Sequence, residues 1–300
     1  MTTLVEVPLS FDDRSFEPFA AGIAAVPAGD RVLVDAHATE WASPFGLVGL
    51  LCAGRALHDR LGTKPLLTVP SDRDVAHYWA LTGFFLQAEE LFEIHGAVPR
   101  VKQPPERAVL LEVTPVRVAG DVHKVVDRIQ ERAAAILNTA LGLDAKATLS
   151  FGMALSEACQ NIVEHAGTGG WVAVHAYTWR RRLGKRVVVI AVADPGVGFR
   201  QTLEATQAKR YGDRWGDGAA LEAALIQGVS RYREPGRGAG FRGIRKYLDR
   251  WEGKISIRSG TARIALIRDW DEDVPLREGL APFPGAQLQL VIPAGTQEAR

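Results

Sequence analysis

Three clusters of residues in this chain have types and spacings suited to handling a phosphorylated ligand. The first is Leu155-Ser-Glu-Ala-Cys-Gln-Asn-Ile-Val-Glu-His-Ala166, in which Glu157, Asn161 and His165 recur every fourth residue. In a helix that spacing lines up a carboxylate, an amide and an imidazole on one stripe. A carboxylate can orient and deprotonate a nucleophile, and an amide oxygen can bind a hard cation. A solvent-facing stripe would also be polar, but it does not account for the small or apolar Met153, Ala154, Ala158 and Ile162 around it.

The second cluster follows Val187-Val-Val-Ile-Ala-Val-Ala193, a β-branched run of the kind buried on both faces of a sheet. It ends in Asp194-Pro-Gly-Val-Gly-Phe199, an acid at a strand end, with Gly196 and Gly198 able to bend the backbone towards a flat ligand. The third is Gly236-Arg-Gly-Ala-Gly-Phe-Arg-Gly-Ile-Arg-Lys-Tyr-Leu248, alternating glycines running into a helix start, where free N–H groups attract phosphate. Each glycine motif alone is more often a turn than a ligand loop. No Gly-Lys-[Ser/Thr] follows the third, and no acid stands about 20 residues beyond it, which excludes a P-loop and a dinucleotide fingerprint.

The elements that must position these residues are legible in outline. Val98 to Glu106 carries Pro99, Pro104 and Pro105 and reads as a linker. Before it, Arg31–His37 and Lys64–Pro70 read as strands. Pro44–His58 and Asp72–Thr82 read as helices, with Ser43 the N-cap of the first. Strand, helix, strand, helix predicts an α/β unit with parallel pairing. After the linker come a strand over Ala108–Pro115, helices over Asp121–Ala140 and Ala145–Ala166, and a helix over Ala219–Val229. A last strand covers Leu288–Pro293.

The order Glu-x-x-x-Asn on a helix, strand plus Asp-x-Gly-x-Gly, then Gly-x-Gly-x-Gly-Phe opening a helix resembles the GHKL ATPase superfamily. That group includes gyrase-type topoisomerases, MutL, the histidine kinases and the anti-sigma-factor serine kinases. The stretch ALSEACQNIVEHAG is most similar to the anti-sigma-factor kinase branch. The resemblance spans about Glu106 to Ala294 and implies a Bergerat-fold α/β sandwich, a mixed sheet with helices on one face. It implies ATP and Mg²⁺ as cofactors. Asn161 would bind the metal, and Glu157 would act as the catalytic base. Asp194 would accept a hydrogen bond from the adenine amine, with Gly196 and Gly198 making room for the base. Gly236, Gly238 and Gly240, with Phe241, would form the phosphate loop, and His165 would be a packing residue. Arg200 to Pro235 would be the ATP lid, offering Lys209, Arg210, Arg214, Arg231 and Arg233 to the γ-phosphate. Ala286 stands where the family has a threonine that helps hold phosphate.

The first half resembles a STAS domain over about Thr3 to Ile94, on VLVDAHATEWASPFGLVGLL and LTVPSDRDVAHYWALTGFF. In phosphorylated members of that family the acceptor serine directly precedes a glycine. Here Phe45 precedes Gly46, which argues against a phospho-switch. The expected organisation is a STAS-like regulatory domain over 1–100, a linker over 101–107, the ATP-binding domain over 108–295 and a tail over 296–300.

Composition bounds the function. The 300 residues carry a net charge of +1, against a sequence-indifferent nucleic-acid binder. That total conceals 8 Lys and Arg against 13 Asp and Glu before residue 106, net −5, and net +6 after it. Either the charges are scattered over a soluble surface or the second half handles an anion. Two separated cysteines argue against a disulfide framework or a cysteine zinc site. The longest apolar run, near Phe45–Gly54, is too short to span a bilayer, and the N-terminus has no signal-peptide pattern, so a cytoplasmic location is expected.

The functional expectation is an ATP-dependent regulatory protein of the anti-sigma-factor kinase type. It would phosphorylate a protein serine or hydrolyse ATP slowly, with a sigma factor or STAS-type antagonist as partner. A non-enzymatic, nucleotide-gated binding module is the alternative, and a homodimer stays open. A MutL-type ATPase cycle is a further option. A histidine kinase core is disfavoured because His123 lies only 38 residues before Asn161, too close for a long dimerising hairpin.

Overall fold

The structure is a computed structural model. It describes residues 1–101, 109–128, 152–153, 155–160, 166–179, 183–229, 241, 244–245, 248–249 and 251–294. Two sheets organise these residues. The smaller has four parallel strands, β1 (Thr2–Glu6), β3 (Arg31–Asp35), β5 (Leu66–Thr68) and β6 (Glu93–His95), in the order β1-β3-β5-β6. Two-residue strands β2 (Ser10–Phe11) and β4 (Trp41–Ala42) pair beside it. The connections include helices α1 (Phe16–Ala25), α2 (Pro44–Leu61), α3 (Arg73–Leu81) and α4 (Phe84–Ala88). The parallel α/β unit expected from the sequence is present.

The helix α2 follows from local chemistry. Ser43 caps it, its hydroxyl accepting from the Gly46 N–H at 3.1 Å, and Pro44 occupies the first turn, where no N–H is needed. Gly62 ends it at φ +70°, its N–H bonding the His58 carbonyl. Gly49 lies within the helix because the Phe16 ring presses on it: an added β-carbon would stand 2.9 Å from Phe16 Cζ. The apolar run near Phe45–Gly54 is therefore a core helix, and no helix among the described residues is long and apolar enough to cross a membrane.

The larger sheet has seven strands: β7 (Val109–Val116), β8 (Gly170–Trp179), β9 (Lys185–Asp194), β10 (Lys254–Gly260), β11 (Ala262–Leu266), β12 (Leu276–Arg277) and β13 (Phe283–Pro293). Their order is β12-β11-β10-β13-β9-β8-β7. Every described ladder in it is antiparallel, where a mixed sheet was expected. Short connections at 180–184 and at Thr261 make β8–β9 and β10–β11 hairpins, and β13 returns between β9 and β10 running against both.

The sheet's two faces have different chemistry. Val188, Ile190, Val192, Leu288, Leu290, Ile292, Ile255 and Ile257 form one aliphatic face, the core shared with α5 (Gly198–Tyr211) and α6 (Asp217–Leu225). The alternate residues face the N-terminal half. Trp171, Ala173, Ala191, Ala193 and Phe283 share a cluster with α1 and α2, which pack directly on β13 and β9. Phe283 and Phe16 meet edge to face at 5.0 Å.

Beside this apolar seam lies a buried charge network. Lys254, 1% exposed, bonds Asp13 at 3.4 Å, Asp271 at 2.5 Å and Asp273 at 2.9 Å. Arg258 binds both carboxylate oxygens of Glu17, at 3.0 and 2.9 Å, and stacks over Phe16 and Phe283. Arg14 reaches Asp271 from the first half. Part of the opposite charge in the two halves thus joins them to each other, which a reading of the second half as purely anion-handling misses.

Candidate functional site

Asp194 is the last residue of β9, on the aliphatic face of the sheet, and is 8% exposed. The Gly196 N–H donates to its Oδ1 at 2.9 Å, and the Ala286 N–H also supports the carboxylate. Burial outweighs both hydrogen bonds and pushes its pKa up to about 7. From the opposite face, α2 brings Cys52 close. Burial raises the Cys52 thiol well above its usual range, and the Asp194 charge adds to the effect.

The loop after Asp194 is held by tight backbone contacts. Gly196 is pressed on Ala166, where a β-carbon would stand 2.6 Å from the Ala166 Cα and overlap its carbonyl oxygen. Gly198 begins α5 at φ +73°, and a β-carbon there would be 2.6 Å from Ser259 Oγ. Ser259 Oγ accepts from the Phe199 N–H at 3.1 Å and donates to the Gly285 carbonyl at 2.8 Å. An added β-carbon at either glycine would therefore meet the protein's own backbone or Ser259. These glycines shape the loop that carries Asp194.

Ala286 sits directly opposite Asp194 across the β13–β9 ladder. Ala286, at the position where the resemblance implied a threonine, thus stands beside the Asp194 carboxylate. Ser259 was not singled out from the sequence. Gly285, at φ +65°, lies within β13 where its register against β10 shifts.

Glu157 is half-buried among helical residues 155–160, with Leu155, Ala158 and Cys159 buried beside it. Asn161, His165, Gly236, Gly238 and Gly240 lie outside the described residues. Phe241, Ile244 and Leu248 are all buried in the aliphatic core, and the Phe241 ring lies 5.9 Å from Phe199. That seven-residue spacing lays the helical residues after the glycine loop along the sheet. Gly196 on Ala166 and Phe199 against Phe241 join described residues from each of the three sequence clusters.

Much of the segment expected as a lid packs on the core. Leu203, Leu221, Ala223, Ala224 and Leu225 of α5 and α6 are buried in the core. Asp217 accepts from both the N–H and the hydroxyl of Thr261, tying α6 to the β10–β11 turn. Lys209 and Arg210 are exposed in the last turn of α5, where cations complement the helix dipole, and Arg214 is exposed beyond it. Arg231 and Arg233 lie outside the described residues.

Among the described residues no group of three His, Cys, Asp or Glu could cage a metal ion. The chain matches no curated protein. Residues 121–241, which contain Glu157, Asn161, Asp194 and the glycine loop, match the histidine kinase-like ATPase domain family, and this stretch of the chain is a GHKL-type ATPase domain.

Proposed function

We propose that the protein binds Mg²⁺·ATP in this domain and acts as a regulatory switch of the anti-sigma-factor kinase type, transferring phosphate to a protein serine or hydrolysing ATP slowly. The observation that carries the reading is Asp194: a carboxylate nine-tenths buried at a strand end, on the helix side of the sheet, inside the matched stretch. Burial makes its ionised form costly, and a donor such as an exocyclic amine offsets that cost. The donor set fits an adenine at Asp194.

The metal would sit among the triphosphate oxygens with the Asn161 amide, neutralising charge that develops on the phosphoryl group. Gly236, Gly238 and Gly240 would offer backbone N–H groups to the phosphates, and the Phe241 ring would anchor that loop from the core side. Glu157 would orient the attacking hydroxyl or water and take its proton.

The STAS-like reading of the first half, with a sigma factor or STAS-type antagonist as partner, belongs to the same proposal. Ser43 is 1% exposed and engaged as a helix cap, which argues against phosphotransfer to the chain's own STAS-like half. The same observation favours a second reading, a nucleotide-gated binding module without transfer. The two are separated by incubating the full chain with Mg²⁺ and γ-labelled ATP, alone and with candidate partners. The kinase reading predicts label on a partner serine or released phosphate, abolished in Glu157→Ala with ATP binding retained. Binding with neither product selects the non-enzymatic module.

A further inference from the structure

All-parallel sheets are normally covered on both faces. Among the described residues only one face of the four-stranded sheet joins a buried cluster: Val5, Val32, Val34 and Leu67 pack with α1 and α2. On the other face the register sets Leu4, Leu33 and Leu66 side by side across three strands, with Glu93 at the end of the row. None of these leucines belongs to a buried cluster among the described residues, and Leu4 is 53% exposed.

The leucine row lies between rows of opposite charge. Towards the strand starts are Arg31, exposed and without an ion pair among the described residues, and Lys64, two residues before Leu66. Towards the strand ends are Glu6 and Asp35, opposite each other in the ladder. Asp35 accepts from the Thr68 hydroxyl at 2.6 Å, which fixes its carboxylate on this face.

We propose that this open face is a homodimer interface whose occupant is the same face of a second copy. A two-fold axis along the leucine row reverses the strand direction. It places Leu33 on Leu33 and Arg31 over Asp35 of the second copy, with the reciprocal pair on the other side. An axis along the strands would instead stack like-charged rows, so the charge pattern selects the first arrangement. Glu93 meets its own counterpart only at the margin, on an edge strand, where water screens it and the twisted sheets diverge.

The test is sedimentation of the full chain over a concentration series. The expected result is a dimer that weakens with added salt. Leu33→Asp raises its dissociation constant at least ~100-fold, and Leu4→Asp and Arg31→Glu each raise it ~10-fold. Thermal melting of Leu4→Asp, at an exposed edge position, separates loss of dimer from loss of fold if Leu33→Asp fails to fold. A short bismaleimide joins Leu33→Cys to its own copy and does not join Asp59→Cys, an exposed site on α2; native Cys52 and Cys159 are buried. A monomer at every concentration, or a dimer unchanged in Leu4→Asp and Arg31→Glu, overturns the proposal.

Discussion

Gly196 packs on Ala166 with backbone against backbone, so the loop carrying Asp194 rests on the residue five positions beyond Asn161. This contact joins two parts of the candidate site that are 30 residues apart in sequence. Replacement of Gly196 by alanine forces the loop off that seat. A cost of ~1–3 kcal/mol in denaturant unfolding is expected, with weakened nucleotide binding. Gly120→Ala is the control: nothing lies within 4 Å of its added β-carbon, and in a helix alanine should be neutral or better.

Asp194 makes the proposed ATP site pH-dependent. In the fold its carboxyl keeps its proton up to about 7, against a usual value of 3.8. The folded chain therefore binds the extra proton between these values. The stability Asp194 contributes is full below 3.8 and is lost as pH rises to about 7. Asp194→Asn should flatten that part of the stability profile. The ionised carboxylate accepts a hydrogen bond from an adenine amine more strongly than the protonated form, so binding below pH 7 should favour ionisation and release a proton. Calorimetry in two buffers of different ionisation enthalpy measures this; no buffer dependence would contradict it.

The Glu17–Arg258 pair links the first half of the chain to β10, with Arg258 1% exposed. Glu17→Ala strands a buried guanidinium and should cost ~3 kcal/mol. Arg258→Met combined with Glu17→Leu should cost less than the single change, because both charges are gone. A double-mutant cycle on urea unfolding gives the coupling, and additive effects would show that the pair does not join the halves energetically.

Tyr78 and His175 form a further polar link between the halves, Tyr78 Oη to His175 Nδ1 at 2.8 Å. Burial pushes the His175 pKa down to about 3, while the unfolded chain takes up a proton near 6.5. Its contribution to stability is present above pH 6.5 and lost as pH falls towards 3. NMR of the folded protein at pH 5 should show a neutral imidazole. Tyr78→Phe leaves Nδ1 unpaired beside an Nε2 that has no partner among the described residues, at ~1–3 kcal/mol.

Local signals made the individual elements legible. Ser43 before Pro44 and Gly62 after Leu61 bound α2 in sequence as they do in space, and the β-branched run before Asp194 marks β9. The packing of the first half on the sheet was not legible. It depends on residues distant in sequence, Phe16 with Phe283 and Glu17 with Arg258, whose pairing leaves no local pattern. The strand directions were missed for the same reason, since β13 inserts between β10 and the much earlier β9. Within the site, Asp194 announced itself by following a buried strand. Ser259 did not, because one serine in a strand has no pattern until Phe199 and Gly285 close around it.

The most direct test of the central claim is an equilibrium titration of the full chain with ATP and Mg²⁺, for wild type and Asp194→Asn, with circular dichroism confirming that both are folded. Saturable binding by the wild type, weakened at least ~10-fold in Asp194→Asn, is predicted from the loss of a hydrogen bond to a charged group. Absence of saturable binding, or equal binding by the two proteins, would contradict it.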